Sequence, residues 1–134
     1  MRQYLFQYVV AAFLFMTADF VWLRSMGPSF YAAELAGLMR DEPNLAVAVA
    51  FYLLFVAGLV VFVIHPSAGG SSLAETAIRG GFFGLVAYAT YDLTNLATLK
   101  GFSSKLALVD MTWGTVLSAA VCCASILLLR RFGA

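Results

Sequence analysis

Charged side chains are scarce in this chain of 134 residues: Asp, Glu, Lys and Arg make up 11% of it, against about 25% in ordinary soluble domains. Hydrophobic residues make up 63%, and the mean hydropathy is +0.91. A chain this short has no interior large enough to hide so much apolar surface, so lipid must cover it. The shortage of charge therefore excludes a soluble domain and indicates a polytopic membrane protein, with residues 1–134 forming one domain.

Histidine and cysteine are also nearly absent, which disfavours two familiar kinds of site. The one histidine, His65, ends an apolar run, and a lone histidine is poor evidence for a metal site. The two cysteines, Cys122 and Cys123, are neighbours and cannot staple distant parts of the chain. A net charge of +1 leaves no basic patch for phosphates. We therefore predict neither a metal site nor a nucleic-acid partner.

Four apolar runs have the length of spanning helices, for which about 20 residues are needed. They cover approximately residues 4–23, 45–64, 74–99 and 105–129. Breaker residues follow the first three runs: Arg24 to Pro28, then His65 with Pro66, then Gly101 as a C-terminal cap. The predicted fold is an all-α membrane protein with four transmembrane helices in one bundle.

The one long connection, between helices one and two, carries apolar and charged residues at helical spacing. They are Phe30, Tyr31, Glu34 and Leu35. We predict a short helix in the membrane interface here, with an irregular loop as the alternative. The connection between helices three and four is very short, so these helices are expected to be antiparallel neighbours.

Acidic residues inside the apolar runs indicate where the protein works, because a charged side chain at the bilayer centre costs on the order of 3 kcal/mol. In a four-helix topology, Asp19, Asp92 and Asp110 lie at similar depth in the same half of the bilayer. Tyr88, Tyr91, Asp92 and Asn95 continue a stripe of helix three that begins at Gly84. Gly84, with Gly80, forms a G-x-x-x-G step that favours contact with a partner helix.

The pattern D-x-x-W occurs twice, as Asp19–Trp22 and as Asp110–Trp113. One interpretation is a carboxylate at the floor of a pocket with an indole as its wall; the other is a tryptophan that anchors a helix at the headgroups. Two copies at matched depth favour a shared polar pocket. The candidate ligand-binding residues are Asp19, Trp22, Tyr88, Tyr91, Asp92, Thr94, Asn95, Asp110, Thr112 and Trp113.

Three carboxylates cannot all stay ionised near one another at low dielectric. Either some carry a proton at neutral pH, or cations and hydrogen-bond donors compensate them. Arg24, Lys100 and Lys105 belong to the same side of the membrane and could reach the pocket by snorkelling. A buried hydrogen-bonded network with a purely structural role is the alternative.

Several stretches resemble the bacterial family catalogued as domain of unknown function 2177, a set of predicted membrane proteins. They are TADFVWL, FYLLFVAGLVVFVIHP, GLVAYATYDLTNLATLKGF and DMTWG, and the resemblance covers essentially the whole chain. It implies a multi-pass protein of the bacterial inner membrane. As family-motif positions it singles out Asp19, Trp22, Tyr91, Asp92, Thr94, Asn95 and residues 110–114. Basic residues divide evenly between the two sides, and we predict cytoplasmic termini.

Three classes of function remain. The first is binding, or transport, of a small or lipid-like molecule among Asp19, Asp92, Asn95 and Asp110, with a homodimer supplying the second half of a transporter. The second is an intramembrane enzyme that acts on lipid with Asp92 and Asp110 as an acid–base pair. No nucleophile with an adjacent base is visible, which disfavours this class. The third is a structural or assembly module. We favour binding; the sequence identifies neither the ligand nor any cofactor.

Overall fold

Four long helices make up the computed structural model, which describes residues 1–132. They are α1 (Arg2–Glu34), α2 (Leu45–Ala68), α3 (Leu73–Thr98) and α4 (Ser104–Arg131). The prediction of an all-α membrane protein is confirmed: α1, α2 and α4 are each long and apolar enough to cross a membrane. At 26 residues α3 is also long enough, but no stretch of it is as apolar as the most apolar stretches of the other three.

Helix α1 is longer than its breaker residues predict. The expected stop between Arg24 and Pro28 is wrong, because the chain continues through a π-helical turn at Gly27–Tyr31 and one more α turn. Pro28 has no N–H to donate, and the wider turn accommodates this: the Ala32 N–H bonds to the carbonyl of Gly27, five residues back. The helical segment predicted to lie separately in the interface is therefore the last part of α1.

Helix α2 repeats this behaviour at its own proline. Its predicted end at His65 and Pro66 is wrong, because a π-helical turn at Val60–Ile64 leads into a last α turn that reaches Ala68. Gly70, with φ of 127°, then reverses the chain. Both helices thus pass a proline by widening one turn.

Helices α3 and α4 form the tightest pair, as the short connection predicts. A Cβ at Gly84 would overlap the Gly114 carbonyl and the Ser118 side chain, and one at Gly80 would lie 3.0 Å from the Cys122 sulfur. The predicted G-x-x-x-G step therefore faces α4 at backbone contact distance.

The turns at both ends of α3 are capped by polar side chains. Ser72 accepts the Glu75 N–H at the start of α3, and Ser103 accepts the Leu106 N–H at the start of α4. The prediction that Gly101 directly caps α3 is wrong, because the helix ends at Thr98. Gly101 instead supplies the left-handed residue (φ 76°) of the following turn.

Two apolar clusters hold the helices together. The larger one fills the bundle with side chains from α1, α2 and α4, among them Phe15, Phe55, Leu59, Leu117 and Ile126. A smaller one lies at the end of the bundle away from both termini, which we call the distal end.

In this smaller cluster Phe102, Leu106 and Ala107 are buried beneath Phe30 and Tyr31 of α1 and Leu35, which follows it. Glu34 adds a hydrogen bond from the Ser103 hydroxyl. The last turns of α1 are thereby packed across the α3–α4 connection, and this packing brings Tyr31 over the acidic residues.

Candidate functional site

Asp19 accepts two hydrogen bonds at the distal end of the bundle. Its side chain is only 5% exposed. One oxygen accepts from the Tyr52 hydroxyl of α2, and the other accepts from the Trp113 indole N–H of α4 at 2.9 Å. Asp19 therefore ties α1 to two other helices, and both of its oxygens are satisfied.

Asp110 lies in a second chain of hydrogen bonds. Its Oδ1 accepts from the Tyr31 hydroxyl at 2.7 Å, and the same Tyr31 oxygen accepts from the Trp22 indole N–H at 3.1 Å. The π-helical turn that carries α1 past Pro28 makes this chain possible, because it extends the helix to the point where Tyr31 meets α4.

The two D-x-x-W motifs, one on α1 and the other on α4, are hydrogen-bonded to each other. The indole of the second motif, Trp113, bonds to the carboxylate of the first, while the indole of the first, Trp22, reaches the carboxylate of the second through Tyr31. The two indoles stack at 4.2 Å between ring centroids with an interplanar angle of 6°. The motif therefore serves as a reciprocal clamp between the two helices.

Asp92 differs from the other two aspartates. It is fully buried on α3, and its carboxyl group adjoins that of Asp110. Two ionised carboxylates cannot donate to one another, so a hydrogen bond between them requires a proton on one of the two. Within residues 1–132, no donor reaches either oxygen of Asp92. Asp92 is thus a buried acidic side chain without a polar partner of its own.

A cavity of about 300 Å³ opens beside the Asp110 carboxyl group, and Asp92 does not line it. Its walls come from three helices: Phe51 of α2, then Ala87, Tyr88 and Tyr91 of α3, and Asp110 of α4. Tyr88 is held over Gly114, where a Cβ would overlap its ring. One charged group and three aromatic rings therefore line a space large enough for part of a small molecule.

Of the ten residues predicted for this site, only Tyr88, Tyr91 and Asp110 line the cavity. Asp19, Trp22 and Trp113 belong to the hydrogen-bonded clamp, and Asp92 is buried. Thr94 and Thr112 are exposed, and their hydroxyls donate to carbonyls of their own helices, at Thr90 and at Leu108. Asn95 is half-buried one turn beyond Tyr91, and its carbonyl accepts the Leu99 N–H that ends α3.

The cations that could have compensated the carboxylates do not pair with them. In the described part of the chain, only Arg79 and Glu75 form an ion pair, at 4.0 Å and far from the site. Lys105 instead lies over the Phe30 ring, with its Nζ 5.8 Å from the ring centroid. The polar partners of Asp19 and Asp110 are all neutral.

Sequence reasoning misses Tyr31 and Tyr52, which donate to Asp110 and Asp19. Tyr31 belongs to the helically spaced group before Glu34, so an extended α1 folded against α4 would have predicted its contact. Tyr52 stands in a run of apolar residues, and its position carries no signal apart from its hydroxyl.

Most of the chain matches a known family of membrane proteins. The family described as predicted membrane protein (DUF2177) matches residues 4–127. The chain belongs to this family. Neither the curated proteins nor the solved structures contain a match to it. Membership in DUF2177 thus supports the membrane class, and the candidate site has to be interpreted from its own geometry.

Proposed function

We propose that this DUF2177 protein binds a small or lipid-like molecule in the cavity that Asp110 lines. The observation that carries the proposal is the Asp110 carboxyl group, which lies in the cavity wall among the rings of Phe51, Tyr88 and Tyr91. Ligand pockets are typically apolar and aromatic with a few well-placed polar groups. A ligand in this cavity would donate a hydrogen bond to Asp110 and pack its apolar part against the rings.

Asp19 has a different role in this proposal. Tyr52 and Trp113 satisfy it, and the clamp between the two D-x-x-W motifs joins α1 to α4. A satisfied network rigidifies the bundle without a ligand. The binding cavity is therefore centred on Asp110, with the Asp19 network as its support.

The proposed setting is the bacterial inner membrane, with all four helices spanning and both termini in the cytoplasm. At about 1.5 Å per residue, α3 is long enough to cross the hydrocarbon core of a bilayer. Its glycines allow it to pack closely along α4, which reduces the surface that this less apolar helix turns toward lipid.

Native mass spectrometry of the detergent-purified protein with its co-extracted lipids tests the proposal. Wild type is compared with Asp110→Asn, and Asp41→Asn serves as a matched control because Asp41 is an exposed acidic residue of the α1–α2 connection. We expect one molecule bound per chain in wild type and in Asp41→Asn. We expect its loss in Asp110→Asn with the melting temperature preserved, because the Asn oxygen can still accept from Tyr31.

Two other outcomes point to the remaining classes. An empty wild type, together with a strongly destabilised Asp110→Asn, would show that the carboxyl group is structural. A ligand that stays bound to Asp110→Asn but is no longer converted to product would indicate an acid–base enzyme instead. The same spectra report the number of subunits and so test the predicted homodimer.

A further inference from the structure

A groove of about 630 Å³ runs along the outer surface of the α3–α4 pair. Gly81 is buried at its floor, where a Cβ would lie 3.5 Å from the Thr115 methyl carbon and 3.7 Å from Ala119. Ile78 and Phe82 stand at its rim, with 72% and 66% of their surfaces exposed. The groove therefore opens toward the surroundings of the bundle, which in a membrane protein are lipid.

The wall of this groove offers its occupant no unused polar group. Among the residues that line it, only Thr115 and Cys123 have polar side-chain atoms. The Thr115 hydroxyl donates to the Met111 carbonyl at 2.8 Å, and the Cys123 thiol donates to the Leu73 carbonyl at 3.5 Å. Whatever lies in the groove must therefore be apolar along its length, as an acyl chain is.

The groove has the length and depth of one lipid leaflet. It is lined by residues 77–85 of α3 and 115–123 of α4, and each stretch is about 12 Å long at 1.5 Å per residue. This is close to half of a hydrocarbon core about 30 Å thick. Because α3 begins at Leu73 and α4 ends at Arg131, the groove belongs to the half of the bundle nearer the termini, opposite the half that holds Asp110.

Arg130 lies beyond the terminal end of this groove. It follows Cys123 by seven residues, which is two turns along the same face of α4. Its guanidinium donates to the Ser71 carbonyl in the turn before α3, so it bridges the two helices that form the groove. Arg130 is exposed and has no ion-pair partner among residues 1–132. A guanidinium carries five N–H donors and binds phosphate through two of them at once.

A second copy of the chain matches this surface less well than a lipid does. Copies inserted in the same direction would pack about a two-fold axis, with the same patch on both sides of the interface. Such a dimer would bring two Arg130 side chains together, and like charges repel. An anionic lipid instead supplies the negative charge that Arg130 lacks, and basic pockets between membrane helices are known to bind such headgroups.

We infer that this groove holds an acyl chain of an anionic phospholipid whose phosphodiester group binds Arg130. The site is separate from the Asp110 cavity, lies in the other half of the bundle and does not rest on the proposed function. One end of the lipid is recognised by charge, and the other is recognised by the shape of the α3–α4 surface.

A competition between two lipids with identical acyl chains tests the assignment. The delipidated full chain in detergent receives equal amounts of dioleoyl phosphatidylglycerol and dioleoyl phosphatidylcholine, and native mass spectrometry counts the bound lipids. Wild type should prefer phosphatidylglycerol by about fivefold, the effect of one basic residue near the headgroups. Arg130→Gln should reduce the preference to about twofold or less. Arg2→Gln should retain it, because Arg2 lies on the same side of the membrane but belongs to α1, which does not line the groove.

Ala120→Phe tests the groove itself. Ala120 is an exposed residue of the groove wall, so a phenylalanine fills the groove from outside without disturbing the core. Its affinity for both lipids should fall by about threefold or more, because the acyl chain loses apolar contact. Ala46→Phe, at an exposed alanine of α2, is the matched control and should bind both lipids as wild type does. Asp110→Asn should leave the lipid preference unchanged.

Equal binding of the two lipids to wild type would overturn the assignment. So would an equal loss of the preference in Arg130→Gln and Arg2→Gln, because the effect would then come from surface charge in general. An Ala120→Phe protein that binds lipid normally but changes from dimer to monomer would show that the groove is an interface between copies. A preference that disappears in Asp110→Asn and survives in Arg130→Gln would move the lipid to the cavity of the proposed function.

Discussion

Asp19 and Asp92 are buried aspartates at the same end of the bundle, and they differ in how their oxygens are satisfied. Asp19 accepts from Tyr52 and Trp113, whereas Asp92 has only the neighbouring carboxyl group of Asp110. A satisfied carboxylate stabilises the fold, and an unsatisfied one weakens it. The two residues should therefore respond in opposite ways to the same substitution.

We expect Asp19→Asn to lower the free energy of unfolding by about 1–3 kcal/mol, because an amide cannot accept from Tyr52 and Trp113 with both of its heavy atoms. Asp92→Asn should leave stability unchanged or raise it by about 1 kcal/mol, because the amide can donate to Asp110. Reversible unfolding in mixed detergent micelles measures both. Losses of the same size in the two variants would contradict the distinction.

The sequence could predict the depth of these residues but not their partners. Helical spacing and alternating topology put Asp19, Asp92 and Asp110 in one half of the bundle. The choice of donor depends on the rotation of each helix about its axis and on the length of α1. The sequence pattern determines neither, so Tyr31 and Tyr52 were missed.

At the level of whole helices, the extended end of α1 forms a cover over the site. Its π-helical turn carries Tyr31 to Asp110, and Glu34 accepts from Ser103 at the start of α4. The Tyr31 hydroxyl also accepts from Trp22. A single oxygen therefore connects the last turns of α1 with the clamp below them.

Tyr31→Phe should loosen this cover. Removing the hydroxyl leaves Asp110 and the Trp22 N–H each without a partner, and we expect a loss of about 1–3 kcal/mol with faster amide exchange in residues 27–34. Hydrogen–deuterium exchange by mass spectrometry reports this. Tyr8→Phe is the control, because it removes a hydroxyl bond from the same helix nearer its start. Unchanged exchange in residues 27–34 of Tyr31→Phe would show that apolar packing alone holds the cover.

The contact between α3 and α4 depends on the small residues at their interface. An alanine at Gly84 would overlap the Gly114 carbonyl and the Ser118 side chain, so Gly84→Ala should destabilise the protein by about 1–3 kcal/mol. Gly27→Ala is the control, since its Cβ would meet nothing within 4 Å and its φ is helical at −60°. Detergent unfolding curves of the two variants are compared. A Gly84→Ala protein as stable as the Gly27→Ala protein would mean that the two backbones can move apart.

The helix boundaries show which features of the helices can be predicted from the sequence. The caps at Ser72 and Ser103 and the close approach at Gly84 follow from local patterns, and the structure has them. The ends of α1 and α2 do not follow, because Pro28 and Pro66 were expected to stop helices that continue past them after a widened turn. A π-helical turn depends on tertiary contacts that local propensity does not contain.

Over the whole molecule, the polar groups are unevenly distributed among the helices. Helices α1, α2 and α4 are apolar enough to cross a membrane by themselves, while α3 carries Asp92 and a series of threonines and is less apolar. Membership in DUF2177 supports the membrane class and does not specify how many helices span. If α3 spans, it does so as the partner of α4, and the residues at its two ends must lie on opposite sides of the membrane.

Cysteine accessibility in intact bacterial cells tests this arrangement. With four spans and cytoplasmic termini, Asp41→Cys and Lys100→Cys should both react with a membrane-impermeant maleimide added outside, while Ser71→Cys should react only after permeabilisation. Wild type gives the unlabelled baseline, because Cys122 and Cys123 both lie within α4. Lys100 is decisive: if α2 spans but α3 does not, Lys100→Cys would react on the same side as Ser71→Cys. Labelling of Ser71→Cys alone in intact cells would instead preserve the four spans and reverse the orientation, so that the carboxyl groups would lie in the cytoplasmic half of the bilayer.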